Sequence, residues 1–203
     1  MNAPLRGPLR KRESSIWERH PEDWYVEPEW CSRRLFGIER FEGRVIDPAC
    51  GRGNIVRSAQ AAGLWSRGSD IVRRGDEYVC AFEADFLSDE WTRRGEHHPI
   101  ENIVCNPPFG VAEKFVEKAL TIATSKVAML LPANWVQGLK RSRWMETTPL
   151  RKVLFVAPRP SMPPGPVIEA GIAPGNGTTD YAWFIWLRGY DGKPEIGWLR
   201  RDA

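Results

Sequence analysis

No apolar run in this sequence approaches the roughly 18 residues that a membrane-spanning helix requires. The opening MNAPLRGPLRKR is basic, but no apolar segment follows it, so it does not read as a secretory signal. Together these absences lead us to expect a cytoplasmic protein with no membrane partner. The four cysteines, Cys31, Cys50, Cys80 and Cys105, form no CxxC pair, which removes the usual zinc arrangement. No metal is expected, and the thiols are expected to be reduced and buried. The phosphate loop GxxxxGK(S/T) is missing as well. Neither sign of charge is in large excess: 29 Lys and Arg against 26 Asp and Glu give a net charge of +3. That balance permits a nucleic-acid partner without requiring one.

What is present suits one domain. With 203 residues, 42% of them hydrophobic, the chain can bury a proper core. Ten tryptophans is a high count, and their rings can fill a core or stack on bases. Residues 1–22, rich in Pro, Arg and Glu, are expected to form a flexible basic arm ahead of a domain over 23–203. A short helical pattern covers Cys31–Arg40. Strands are expected at 43–47, 64–71, 78–82, 100–105, 126–131, 153–156 and 181–187. Helices are expected at Asn54–Ala62, closed by Gly63, and at Ala112–Thr124, with a helical turn near 87–94. Pro158–Thr179 reads as a long loop. Alternating strands and helices predict an α/β, Rossmann-like domain: a mostly parallel seven-stranded sheet with helices on both faces. In such sheets the ligand crevice lies at the carboxyl ends of the strands.

Asp47-Pro-Ala-Cys-Gly-Arg-Gly53 stands between a strand and a helix. Gly51 and Gly53 allow a tight turn and a close approach of a ligand to the backbone. Asp47 can accept hydrogen bonds from an ammonium group, so the motif suits a zwitterionic, cationic ligand better than a pyrophosphate. Asp70 is expected at the end of the second strand, where a carboxylate can bind ribose hydroxyls. Asp85 follows the third strand and could accept from an adenine amino group, with Phe86 packing on the ring.

Asn106-Pro-Pro-Phe109 ends the fourth strand. Two consecutive prolines stop the strand and stiffen the turn. The Asn106 side-chain carbonyl and the Pro107 backbone carbonyl together offer two acceptors for the two protons of an amino group. Phe109 offers a face on which a base can stack, worth about 1–3 kcal/mol.

These residues resemble the amino-group DNA methyltransferases and their DPPY/NPPY-type tetrad, with the nearest likeness to small adenine methyltransferases of phage and prophage type. The resemblance covers about residues 24–188. Asn106, Pro107, Pro108 and Phe109 match the catalytic tetrad, with Phe in place of Tyr. Asp47–Gly53 matches the first cofactor motif, and Trp24-Tyr-Val-Glu-Pro28 is similar to the upstream motif that contacts the methionine part of the cofactor. The resemblance implies S-adenosyl-L-methionine as cofactor. It implies contacts from Tyr25, Glu27, Asp47, Pro48, Ala49, Cys50, Gly51, Gly53, Asp70, Ile71, Asp85, Phe86 and Asn106. It implies methylation of the N6 amino group of adenine in DNA. After the tetrad and its sheet the chain reaches Ala203 with no room for a separate target-recognition domain, so a short or relaxed sequence preference is expected.

Trp135, Lys140, Arg141, Arg143 and Arg159 form a basic stretch with interleaved tryptophans, which suits a surface that tracks phosphates. Two other functions stay open. One is methylation of another planar nitrogen, in RNA adenine or protein glutamine. The other is a non-catalytic binding homologue.

Overall fold

The central strands form where the sequence is continuously apolar, because they are covered on both faces and have no solvent side to mark with polar residues. The structure, a computed structural model, describes residues 23–202, the side chains of Arg94 and His97 excepted; the arm expected over 1–22 lies outside the described residues. The chain order is α1 (Glu29–Ile38), β1 (Val45–Asp47), α2 (Asn54–Ala61), β2 (Ser66–Asp70), β3 (Cys80–Glu83), α3 (Asp89–His97), β4 (Ile100–Cys105), α4 (Ala112–Ile122), β5 (Ala123–Pro132), α5 (Leu139–Met145), β6 (Leu150–Ala157), α6 (Gly165–Glu169), β7 (Tyr181–Leu187) and β8 (Glu195–Arg200). One sheet carries them in the order β3-β2-β1-β4-β5-β7-β6-β8. Its pairs are parallel except where β7 runs antiparallel between β5 and β6.

Helices cover both faces. Cys31 and Leu35 of α1 and Ile55 and Ala59 of α2 pack on Val104, Leu130 and Trp183. On the other face Trp91 of α3, Phe115 of α4 and Met145 of α5 pack on Ile103, Met129 and Phe184. Trp183 and Trp186 are fully buried, so much of the tryptophan count is core. All four cysteines are buried thiols. Among the described residues no helix is long and apolar enough to cross a membrane.

The sheet differs from expectation in having eight strands, not seven. β8 pairs parallel with β6, from Lys152↔Glu195 to Ala157↔Arg200. It was missed because only Leu199 of the strand is buried, while Ile196 and Trp198 point into solvent, so no clean inward stripe marks it. The helix expected to reach Thr124 stops at Ile122, and β5 begins at once. The stretch expected as a long loop over 158–179 contains α6. Just before that helix, Pro163 and Pro164 pair with the chain at 25–26, through Val26 N–H to Pro163 C=O (3.0 Å) and a bridge between Tyr25 and Pro164. The basic stretch at 139–145 is a helix.

Candidate active site

The carboxyl ends of β1, β2 and β4 meet at one crevice, and the segment 23–27 crosses it as a strap. Asp23 accepts from the Gly110 amide (2.8 Å), Asn54 Nδ2 donates to the Glu27 carbonyl (2.8 Å), and the Gly165 amide donates to the Trp24 carbonyl (3.0 Å). The strap is therefore tied on both sides.

Beneath it lies the glycine turn. Gly53, at φ +84°, precedes α2, and a Cβ there would meet the Val79 side chain at 2.5 Å. Gly51, at φ +48°, lies beneath the Trp24 indole, with 3.1 Å between a built Cβ and Trp24 Nε1. Both positions need glycine, one for its conformation and packing and the other for the close approach.

Asp47 is buried and accepts from the Ala49 amide (3.2 Å). Burial, and then the Glu27 charge, push its carboxyl well above the usual carboxylate range. Glu27 is buried too. Burial pushes it up to about 7, against its own backbone amide, the Asn106 side chain and the Arg57 charge, which pull the other way. Two buried acids thus face one small cavity of about 50 Å³, also lined by Tyr25, Gly51 and Asn106. Among the described residues neither acid has an ion-pair partner, so protonation or a bound cation must relieve them.

Asn106 completes this lobe. Its Nδ2 donates to the Tyr25 carbonyl (3.0 Å) and to Glu27 Oε2 (2.9 Å). Its Oδ1 is buried and has no hydrogen-bond partner among the described residues. A buried, unpaired acceptor is uncommon and costly, on the order of 1–3 kcal/mol. The two acceptors on Nδ2 also fix which way the amide points.

A second cavity, of about 510 Å³, shares Asp23, Ala49, Asp70, Ile71 and Pro108 with the first and runs on to Asp85 and Phe86. That size lies within the range of small-molecule sites, about 300–1,000 Å³. Asp70 stands between the lobes. Its Oδ2 accepts from the Gly51 amide (2.8 Å), and its Oδ1 pairs with Arg74 (2.9 Å), whose guanidinium lies 4.6 Å from the Trp24 ring centroid. Burial raises the Asp70 carboxyl, while the Gly51 and Val72 amides and Arg74 pull it down.

Other expected site residues sit differently. Phe86 is fully buried between Trp91 (5.5 Å) and Phe115 (4.9 Å), so it forms the floor of the larger lobe and has no face free to swing onto a ring. Asp85 is exposed and accepts from the Leu87 amide (2.9 Å). Phe109 stacks on Tyr25 at 6.0 Å and tilts against Tyr181 at 5.8 Å. Ile71 is exposed at the mouth, and Pro48 and Cys50 are buried in the turn.

The basic stretch is divided by packing. Trp135, expected to meet nucleic acid, is a core residue only 7% exposed, held against Trp144 and Phe184. Arg141 is spent internally, on the Trp135 carbonyl (2.6 Å) and Glu113 (3.1 Å). Arg159 is exposed and paired with Asp180 (2.6 Å). Lys140 and Arg143 stand exposed on α5. Sequence reasoning also missed Asp23 and Arg74. Only the spacing of Arg74, four residues beyond Asp70, hinted at a pair.

A protein described as a class I S-adenosylmethionine-dependent methyltransferase of Listeria monocytogenes superposes with a TM-score of 0.58 at 10% identity, over 91% of this chain and 68% of that one. The M protein of the type I restriction enzyme EcoKI superposes with a TM-score of 0.56 at 15% identity, over 89% of this chain. This chain spans about half the length of that protein (49%). No protein-family model and no curated protein matches the sequence. The fold is the Rossmann-like fold of the S-adenosylmethionine-dependent methyltransferases.

Proposed function

We propose that this chain transfers a methyl group from S-adenosyl-L-methionine to an exocyclic amino nitrogen, and that the acceptor is N6 of adenine in DNA. The observation that carries this reading is the Asn106 amide. Its oxygen is buried at the end of β4 and unpaired among the described residues, while its nitrogen is held by Tyr25 and Glu27.

The site fits the cofactor by the chemistry of its donors. Two buried acids with no ion-pair partner among the described residues suit the ammonium group, and Gly51 leaves the turn open to close approach. Asp70 suits ribose hydroxyls once Arg74 yields one carboxylate oxygen, and the larger lobe suits a nucleoside base. When bound, the cofactor supplies a methyl group that is already strongly electrophilic, so positioning the nitrogen does most of the remaining work. Asn106 Oδ1 and the Pro107 carbonyl accept hydrogen bonds from the two amino protons, and one of those protons leaves to solvent once the nitrogen has gained the methyl group in place of the cofactor's sulfur–carbon bond. Those hydrogen bonds draw the nitrogen lone pair out of conjugation and toward the methyl group. The acceptors are set before the substrate arrives, and preorganisation of that kind is the largest single contribution in comparable sites. Phe109, with Tyr25 and Tyr181 behind it, supports the flat face of the base. Lys140 and Arg143 are the cations best placed to meet phosphates, and their contribution weakens with salt.

The test is incubation with labelled cofactor and unmethylated DNA, with RNA and protein as parallel arms, followed by nucleoside mass spectrometry. N6-methyladenine from the DNA arm is the expected product. Asn106→Ala is expected to keep cofactor affinity and to lose turnover by a factor on the order of 100 or more, as for one lost oxyanion-hole donor. Normal turnover in that variant overturns the catalytic role of the tetrad. Label appearing only in RNA or protein replaces DNA as the acceptor.

A further inference from the structure

Methyl transfer as proposed uses the oxygen of Asn106, and of the two acceptors that hold this amide, the Tyr25 carbonyl and Glu27, only Glu27 can change its charge. We propose that Glu27 is a positioning residue whose ionisation, brought about by the arrival of the cationic cofactor, locks the Asn106 amide with its oxygen toward the acceptor. This inference rests on the methyltransferase function above and adds to it a coupling between cofactor occupancy and readiness of the acceptor site.

The geometry has two parts. First, a primary amide has two N–H donors and one carbonyl acceptor. Asn106 spends its nitrogen on the Tyr25 carbonyl and Glu27 Oε2, so Oδ1 turns the other way, where it is buried and unpaired. Second, the strap that carries Glu27 is tied through Asn54, Pro163 and Gly110, so the backbone that presents its carboxyl to the amide is held in place.

Ionisation state then matters. A carboxylate only accepts, so it admits Nδ2 and rejects Oδ1. A neutral carboxylic acid can also donate through its O–H, so it competes for Oδ1 and holds the amide less firmly, leaving the Tyr25 carbonyl as the acceptor on Nδ2 that does not titrate. The charged and titratable groups around Glu27 set the balance. Asp47 on β1 has the same sign, Arg57 on α2 the opposite sign, and the Cys31 thiol on α1 lies close. Beyond Asp47 lies Asp70, itself occupied by Arg74. Two acids in one small, buried lobe cannot both ionise cheaply, and burial already pushes Glu27 up to about 7. An ammonium group entering that lobe removes the obstacle. The Glu27 acid releases its proton to solvent and becomes a carboxylate. No bond to carbon forms or breaks.

The experiment is calorimetry of S-adenosylmethionine binding to the full chain between pH 6 and 8.5, in buffers of different ionisation heat, for wild type and Glu27→Gln. Wild type is expected to release about one more proton than the variant near pH 6.5. Its Kd is expected to fall about tenfold per pH unit below about 7 and to level off above that. In steady-state methylation, Glu27→Gln is expected to lower kcat by about tenfold or more. That is the loss expected with a hydrogen bond to a charged group, and the acceptor KM should move little. The acid limb of the kcat profile is expected to vanish. Infrared difference spectra of wild type with isotope-labelled glutamate give a readout that needs no variant: cofactor addition is expected to convert one glutamic acid band to carboxylate. Equal proton release in wild type and variant, a superimposable pH profile, or an unchanged glutamate band overturns the inference alone. A wild-type protein that binds no cofactor overturns the proposed function and this inference with it.

Discussion

Helix α1 separates two buried glutamates that have opposite surroundings. Glu39, at its carboxyl end, accepts from Lys126 (2.6 Å) and Lys152 (2.8 Å). Burial pushes its carboxyl up, but the two lysines outweigh burial and hold it below the usual carboxylate range. Glu27, two residues ahead of the helix, has Asn106 for a partner and no ion pair among the described residues, and it is pushed up to about 7. Lys126 and Lys152 belong to the amino-terminal parts of β5 and β6, whereas Asn106 follows the carboxyl end of β4. One end of the sheet therefore closes its charges among its own side chains. The other end pairs Asp70 with Arg74 but leaves Glu27 and Asp47 without an ion pair among the described residues, which is tolerable in a folded protein only where protonation or a ligand relieves them.

That contrast can be broken at either end. The largest effect is expected from Glu39→Ala, which strands Lys126 in a position where its side chain is 9% exposed. Removing one partner of a buried pair costs about 3–5 kcal/mol, and chemical denaturation reads it as a lower midpoint with an unchanged slope. A loss below about 1 kcal/mol would show that the lysines reach water without their acid.

At the other end the expected sign is reversed. Glu27 holds its proton to higher pH in the folded than in the unfolded protein. Its contribution to stability is therefore full below about pH 4.5 and is lost as pH rises through about 7. Glu27→Gln is expected to match wild type at pH 5 and to gain on the order of 1–3 kcal/mol at pH 8 in the ligand-free protein. Thermal unfolding across that range checks it, and a variant less stable at pH 8 removes the contrast. Gly165→Val tests the strap, because a Cβ there would meet the Trp24 ring at 2.3 Å. Cofactor affinity is expected to fall by about tenfold or more, given that overpacking costs about 1–3 kcal/mol, while the Glu39 end stays unaffected. The smallest effect belongs to Arg159→Ala. Its pair with Asp180 is more than half exposed on both sides and screened by solvent, so thermal unfolding of the variant is expected to superimpose on wild type.

Much of this molecule was legible in its residues. Lys126–Leu131 reads as a buried strand because a central parallel strand has no polar face. Gly51 and Gly53 mark a turn that other residues resist, and Pro107 and Pro108 mark where β4 must stop. Leu139–Met145 was less legible. Its charges and tryptophans read together as a surface that tracks phosphates, but packing makes it a helix whose neighbouring Trp135 is core. β8 was illegible because an edge strand with two outward apolar residues carries no inward stripe.

The order of residues along the chain determined the elements and the kinds of group at each strand end, because strand burial, glycine dihedrals and proline stops are local properties. The fate of each polar group was settled only by packing. Glu27 and Glu39 are the same residue type twelve positions apart. Nothing local says that one meets two lysines and the other an amide 79 residues away. Asn106 could have turned either face to the crevice. Its orientation follows from two acceptors on a strap that only the assembled sheet holds in place, since an amide chooses its direction by the partners within reach and not by its neighbours in sequence.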